Sequence, residues 1–243
     1  MSTTAGARLD GALIIVTGVA ARGQLGETVA RAFGDRGASL ALLDRDADGV
    51  RARAAELRAL GIDATAWPCD LTDPVALAQV ARDLEARAPA GVATLACLAG
   101  GFALSGPVAE SDPDAWPRQF AINLTTAYLA TRAFLPLLRR GRGRIVYVAS
   151  AAATPGASRA GIAAYAAAKS AVVSLMQSVA QEERAHGVVA NALAPTAIRT
   201  DANLAAMGAS DGMLDRAVLA EWIVFLGSPA SGAVTGQLIG LGT

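Results

Sequence analysis

Short apolar runs alternate with longer stretches of helical spacing, and this alternation constrains the chain more than any other feature. The apolar runs are Ala12–Thr17, Ser39–Leu43, Ala64–Cys69, Thr94–Leu98, Arg144–Ala149, Val188–Leu193 and Gln237–Gly240. Apolar side chains fill successive positions in them, as in strands covered on both faces. The helical patterns between them span roughly Leu25–Arg36, Ala47–Leu60, Pro74–Arg87, Trp116–Arg139, Ile162–His186 and Met213–Leu226. Such alternation predicts an α/β fold in which right-handed crossovers build one doubly wound parallel sheet of seven strands. At 243 residues, with no repeat and no break in composition, the chain reads as a single domain.

Composition narrows the partners. Lys and Arg total 21 and Asp and Glu total 21, so nothing favours nucleic acid or an anionic membrane. The cluster Arg139, Arg140, Arg142 and Arg144 reads as a solvated helix-to-strand turn. Cys69 and Cys97 sit at strand ends, predicting buried free thiols that suit a reducing cytoplasm. The single histidine, His186, precedes Gly187 and reads as a helix C-terminal residue, leaving no ligand cluster for a metal. Met1–Asp10 lacks the apolar core of a signal peptide, and no charge-free run reaches the roughly 20 residues of a membrane span. A soluble, cytoplasmic protein is expected.

In a sheet of this kind ligands sit beyond the carboxyl ends of the strands. After the first strand comes Thr17-Gly18-Val19-Ala20-Ala21-Arg22-Gly23-Gln24-Leu25-Gly26, then a helix. A glycine-rich strand-to-helix turn lets backbone approach a pyrophosphate, and the helix N-terminus adds free N–H groups. Gly18, Gln24 and Leu25 are its expected contacts. Asp44 ends the second strand 18 positions after Gly26. A carboxylate there hydrogen-bonds an adenosine ribose and repels a 2′-phosphate, which favours NAD(H). Arg22 and Arg45 oppose that, since either could pair with a 2′-phosphate, so NADP(H) stays open. Asp70 and Leu71 follow the third strand. Asp70 reads either as an adenine contact or as a turn residue ahead of Pro74.

Ser150 ends the fifth strand, and Tyr165-Ala166-Ala167-Ala168-Lys169 lies in the next helical pattern. Tyrosine and lysine four apart share one helix face. A phenol near pKa 10 needs a neighbouring ammonium to become useful in proton transfer at neutral pH. With the Ser150 hydroxyl holding a substrate oxygen, this set suits the interconversion of carbonyl and alcohol while a nicotinamide carries the hydride.

Over nearly its full length the chain resembles the short-chain dehydrogenases/reductases. The resemblance rests on the Thr17–Gly26 turn, Asp70, Ala99-Gly100, Asn123, Ser150, Tyr165, Lys169 and Pro195 through Thr200. It implies a Rossmann-like domain and an NAD(P)-dependent oxidoreductase acting on a small carbonyl or alcohol, a ketoreductase in one direction. It also implies that Asn123 completes a proton relay with Ser150, Tyr165 and Lys169, and that Lys169 binds the nicotinamide ribose. By the same resemblance Ala99 and Gly100 border the dinucleotide, while Thr200 meets the carboxamide and Pro195 and Ile198 line that loop. A short substrate lid is implied at about 201–215, and a homotetramer or homodimer built through the two long helices.

The chain departs from the family pattern in four places. Its glycine turn is longer than Thr-Gly-x-x-x-Gly-x-Gly. Asn-Asn-Ala-Gly becomes Cys97-Leu98-Ala99-Gly100, with packing expected to replace the lost hydrogen bonds. Pro-Gly becomes Pro195-Thr196, and the serine-to-tyrosine gap is 15, with the extra residues in Pro155–Gly161. Ser150, Phe102, Tyr165 and Met207 are the leading substrate contacts, with Leu104, Thr154, Asn203, Leu204 and Met213 as further pocket residues. Ala99–Phe102 and Asp201–Met207 are also similar to dihydropteridine reductases. The same scaffold would equally serve a non-redox relative, such as a dehydratase or isomerase, or a non-catalytic binding protein that keeps the cofactor fold.

Overall fold

The computed structural model describes residues 8–208 and 212–242, apart from the Met207 side chain. β1 (Leu13–Thr17), α1 (Leu25–Gly34), β2 (Ser39–Asp44), α2 (Ala47–Ala59), β3 (Ala64–Pro68), α3 (Pro74–Arg87) and β4 (Thr94–Cys97) form the first half. α4 (Ala115–Phe120), α5 (Thr126–Gly141), β5 (Arg144–Val148), α6 (Ala163–Glu182) and β6 (Val189–Pro195) follow. The chain continues through β7 (Ile198–Arg199), α7 (Asp201–Met207), β8 (Leu214–Asp215), α8 (Arg216–Leu226) and β9 (Leu238–Leu241).

Seven strands form one parallel sheet in the order β3-β2-β1-β4-β5-β6-β9. This is the expected single Rossmann-like α/β domain. After β3 the chain returns to the far side of β1, so the order reverses between β1 and β4 and opens a crevice there. One face of the sheet is covered by α1, α2 and α8, through Val29, Phe33, Val50, Leu57, Leu219 and Ile223. On the other face lie α3, α5 and α6, through Leu77, Leu84, Phe134, Leu138, Val172 and Met176. Spacings such as Leu77, Val80, Leu84 keep each helix's apolar side on the sheet. Asp46, Asp73 and Asp215 cap α2, α3 and α8, each accepting from a backbone N–H of the first turn.

Three expected helices differ in outline. The Trp116–Arg139 pattern is interrupted by one π turn, Ala121–Thr125. Side-chain bonds accompany it: Asn123 Nδ2 donates to the Gln119 carbonyl and Thr126 Oγ1 to the Ile122 carbonyl. The expected Met213–Leu226 helix begins only at Arg216, because Leu214–Asp215 pairs with Ile198–Arg199 as a two-residue parallel ladder. The Ile162–His186 helix ends at Glu182, and His186 lies in a 3-10 turn closed by Gly187 at φ 73°. The expected lid contains a helix, α7, capped by Thr200, whose Oγ1 accepts from the Asn203 amide at 3.2 Å.

Both cysteines are buried free thiols. In the Arg139–Arg144 cluster, Arg139 is bound by the buried Glu183 and Arg140 by Glu85, so half the cluster is neutralised. Among the described residues no helix is long and apolar enough to cross a membrane.

Candidate functional site

A cleft of about 1020 Å³ runs along the carboxyl ends of the strands. Its first wall is the β1–α1 turn. Gly18 has φ 73°, and a Cβ there would stand 2.8 Å from the Ala99 backbone, so only glycine fits. A Cβ on Gly26 would overlap the Gly18 carbonyl oxygen, so α1 and β1 meet through bare backbone. Gln24 caps α1 in an extended conformation without any side-chain hydrogen bond, unlike the aspartate caps of α2, α3 and α8. The N-cap side chain therefore leaves the positive end of α1 open to the cleft, while the first-turn Glu27 is taken up by the Gly23 amide and Arg53. That arrangement fits the pyrophosphate of a dinucleotide.

Asp44 and Asp70 follow β2 and β3 along the same wall. Asp44 Oδ2 accepts from the Ala20 amide at 3.0 Å and Oδ1 from the Asp46 amide at 3.1 Å, which fixes the carboxylate at the rim. Asp70 accepts from the Thr72 hydroxyl and amide, and these bonds hold its carboxyl below the ordinary range. Asp73, directly after the Asp70–Thr72 turn, caps the helix, so Asp70 is free to border the cleft. Arg45 lines the cleft, while Arg22 is held by Glu56.

Where the chain lacks the asparagine pair after β4, a hydroxyl does the joining. Thr17 Oγ1 accepts from the Leu98 and Ala99 amides at 3.0 and 3.2 Å and lies 3.3 Å from the Ala96 carbonyl. Cys97 itself is buried beside Thr131 and Tyr147, whose hydroxyls bond each other at 2.8 Å. Burial raises its thiol to about 12. Cys97 and Leu98 pack against the two cores on either face of the sheet, and the Thr17 hydroxyl ties the Leu98 backbone to β1. Thr196, in place of the usual glycine, packs against Gly242, where no Cβ could stand.

The other end of the cleft lies beyond β5. Ser150 follows the strand, and its Oγ accepts from the Ala152 amide at 3.2 Å. Arg159, within the lengthened Pro155–Gly161 segment, donates to the Ala152 carbonyl at 2.8 Å and so braces the turn after Ser150. Tyr165 and Lys169 project from α6 into the same space. Desolvation raises the Tyr165 phenol, and the Ser150 hydroxyl beside it acts the other way. Lys169 is 7 % exposed, and burial lowers it to about 8. Its Nζ donates to the Val148 carbonyl at 2.8 Å and stands 5.9 Å from the Tyr165 ring centre. The Phe102 ring meets the Tyr165 ring edge-on at 5.1 Å.

Asn123 lies under this floor and does not line it. The π turn aims its amide at Gly101, accepting from that backbone N–H at 3.1 Å and donating to its carbonyl at 3.0 Å. A Cβ on Gly100 would stand 2.7 Å from Asn123 Oδ1 and 3.4 Å from Lys169 Nζ, so Gly100 brings the three groups together.

The cleft gathers Gly18, Gln24, Leu25, Asp44, Arg45, Asp70, Leu71, Ala99, Gly100, Phe102, Ser150, Tyr165, Lys169, Pro195, Ile198 and Thr200. The side chain of Met207 lies outside the described residues. Leu104 is 75 % exposed, and neither it nor Thr154, Leu204 and Met213 borders the cleft. Ile122, Ile162, Ala152, Ala202 and Ala206 do border it and were not anticipated.

The sequence model of the family described as short chain dehydrogenase matches residues 12–208. The chain is 32% identical to a galactitol 2-dehydrogenase (L-tagatose-forming) of Cereibacter sphaeroides, covering 96% of this chain and 94% of that protein. It is 37% identical to a 2-dehydro-3-deoxy-L-rhamnonate dehydrogenase (NAD(+)) of a Sphingomonas species, over 80% of this chain and 75% of the relative. A putative short-chain dehydrogenase/reductase of Burkholderia xenovorans superposes with a TM-score of 0.86 at 31% identity, over 98% and 97% of the two chains.

Proposed function

This chain belongs to the short-chain dehydrogenase family, and we propose that it is an NAD(P)(H)-dependent oxidoreductase interconverting a small carbonyl compound and its alcohol. The observation that carries the proposal is the convergence of Ser150, Tyr165 and the buried Lys169 in a cleft continuous with the uncapped end of α1.

In this reading Gly18, Gln24 and Leu25 would hold the pyrophosphate and Asp44 the adenosine ribose, with Arg45 beside it. Asp70 and Leu71 would border the adenine and Ala99 and Gly100 the middle of the dinucleotide, while Thr200 would contact the carboxamide with Pro195 and Ile198 lining its loop. The bound nicotinamide would supply or accept the hydride. Ser150 orients the substrate oxygen, and Tyr165 gives it a proton in reduction or removes one in oxidation. Lys169 holds the nicotinamide ribose and supplies positive charge that favours the phenolate; Asn123 completes the proton relay behind it. Asp44 favours NAD(H) because its charge opposes a 2′-phosphate.

The lining also supports a class of substrate. Of the charged side chains at the cleft, Asp44, Arg45 and Asp70 follow β2 and β3, leaving Lys169 at the Tyr165 end among the described residues. Phe102, Ile122, Ala152 and Ile162 are apolar neighbours. A neutral ketone or secondary alcohol with an apolar flank suits this end; a sugar acid would bring a carboxylate, and the cation there, Lys169, is buried and bonded to the Val148 carbonyl. Ala202, Asn203 and Ala206 of the lid would complete the substrate side. The alanine-rich α6 and its neighbour α5 carry a homotetramer, or a homodimer, that light scattering at micromolar concentration would test.

The direct experiment is NADH and NADPH binding by fluorescence, then turnover of ketones, secondary alcohols, sugar acids and a quinonoid dihydropterin. Turnover of neutral ketones with NADH preferred is expected. Binding without turnover would favour a non-redox or non-catalytic member, and turnover of the dihydropterin alone would move the substrate class.

A further inference from the structure

Gly23 stands apart in the glycine turn. Gly18 and Gly26 border the cleft, and Gly23 does not. It has φ 65°, and the place where its Cβ would stand is filled by the Asp201 carboxylate. The Gly23 carbonyl accepts from the Asp201 amide at 3.1 Å. On its other side the Gly23 amide donates to Glu27 Oε2 at 2.7 Å. Glu27 Oε1 accepts from Arg53 at 2.9 Å, and Arg53, buried in α2, also pairs with Glu56. Asp201 in turn faces Arg216 of α8 at 3.7 Å.

One residue therefore joins two parts of the cleft. The turn ahead of α1 borders one end, and α7 contributes Ala202, Asn203 and Ala206 beside its cap Thr200. The joint is tied to the body of the domain through Glu27 and Arg53 on one flank and Arg216 on the other. Positive φ at Gly23 leaves its carbonyl facing the Asp201 amide, a conformation that a Cβ disfavours even without the overlap.

We propose that Gly23 is a positioning residue that seats α7 on the β1–α1 turn, so that filling the turn with a dinucleotide steadies the substrate side of the cleft. The proposal rests on the functional reading above only for the identity of the ligands. It gives the lengthened turn a purpose: its middle glycine serves the neighbouring helix, and Gly18 and Gly26 are left to the ligand. A ligand that fixes the turn fixes the Gly23 carbonyl and hence the first turn of α7. Positioning of this kind acts on substrate affinity more than on the chemical step.

Hydrogen exchange of the 198–208 segment in the full chain, with and without NADH, tests it. In the unaltered protein NADH should slow exchange of the α7 amides by roughly tenfold. Gly23→Ala should speed their exchange and remove the response to NADH. Asp201→Ala removes the overlap, so Gly23→Ala/Asp201→Ala should recover part of the response, a departure from additivity that general destabilisation does not produce. With a ketone substrate, Gly23→Ala should raise KM by roughly tenfold at nearly constant kcat. If Gly23→Ala fails to fold, Asp201→Ala alone should still speed exchange in α7, and unchanged exchange there overturns the proposal. So does an α7 segment that ignores NADH in the unaltered protein while NADH binds. Failure to bind either dinucleotide overturns the functional reading instead.

Discussion

The two ends of the cleft are built from different materials. At the β1–β2–β3 end the surface is largely backbone: Gly18 against Ala99, Gly26 against Gly18, and the uncapped start of α1, with Asp44 and Asp70 held at the rim by amides. At the β5–α6 end it is largely side chain: Phe102 against Tyr165, Lys169 desolvated beneath, and Ser150 fixed by its own turn. The first end suits any ligand with the same phosphates and sugars, because backbone amides do not distinguish what lies beyond them. The second holds proton chemistry in a low-polarity setting, where a small change in shape or charge alters what can react. Changes at the first end should therefore alter binding, and changes at the second should alter turnover.

The sharpest test of that division is Tyr165→Phe. It should lower kcat by about 10²–10⁴-fold, the usual worth of a positioned acid-base group. Dinucleotide affinity, measured by fluorescence, should stay within about twofold, because the phenol is expected to act on the chemical step alone. A matching loss of affinity would break the comparison. Next comes Gly26→Ala, which must push α1 away from the Gly18 carbonyl. Overpacking of this kind costs about 1–3 kcal/mol. NADH affinity and Tm should both fall, while the pH profile of the remaining turnover keeps its shape.

Asp44→Ser keeps a hydrogen-bond acceptor and removes the charge. The ratio of kcat/KM for NADPH over NADH should rise by about tenfold, the scale of one charge-assisted bond. No change in the ratio would mean that the rim carboxylate does not choose the dinucleotide.

The smallest effect concerns stability. Burial lowers Lys169 from 10.5 to about 8. Between those values the unfolded chain binds the proton and the folded chain does not, so stability rises with pH through that window. Below about pH 8 the full penalty is present, at most about 3 kcal/mol and offset by the bond to the Val148 carbonyl. Lys169→Met should abolish turnover yet raise Tm by a few degrees at neutral pH, with the gain shrinking towards pH 10.5. Oxidation, which needs the phenolate, should lose rate as pH rises past about 8, where Lys169 gives up the charge that favours it.

The same contrast governs what the sequence reveals. Strands buried on both faces announce themselves through runs such as Leu40–Leu43, and glycines forced by close backbone approach stand out at Gly18 and Gly26. Ser150, Tyr165 and Lys169 are legible because their chemistry is unusual at that spacing. Ile122, Ala152 and Ile162 carry no such mark: an apolar side chain reads the same in a pocket and in a core. The start of α8 was within reach, because Asp215 ahead of Arg216 is a capping residue. Thr200 with Asn203 could likewise have announced α7. The sequence did not announce the π turn, since an asparagine and a threonine bonding back four residues are ordinary in a helix and the Asn123 contact with Gly101 spans 22 positions.

That turn also sets a rule for how the chain tolerates change in length. Each residue advances an α-helix by about 100°. A π turn amounts to one residue more than the regular repeat, so it offsets the phase of everything before it relative to everything after. Deleting a single residue from Ala121–Thr125 would restore an unbroken helix. It would also swing the stacked Trp116 and Phe120 around the axis and carry Asn123 off Gly101. A point substitution edits one group of the site, but such a deletion would leave every group of this helix present and its two halves out of register.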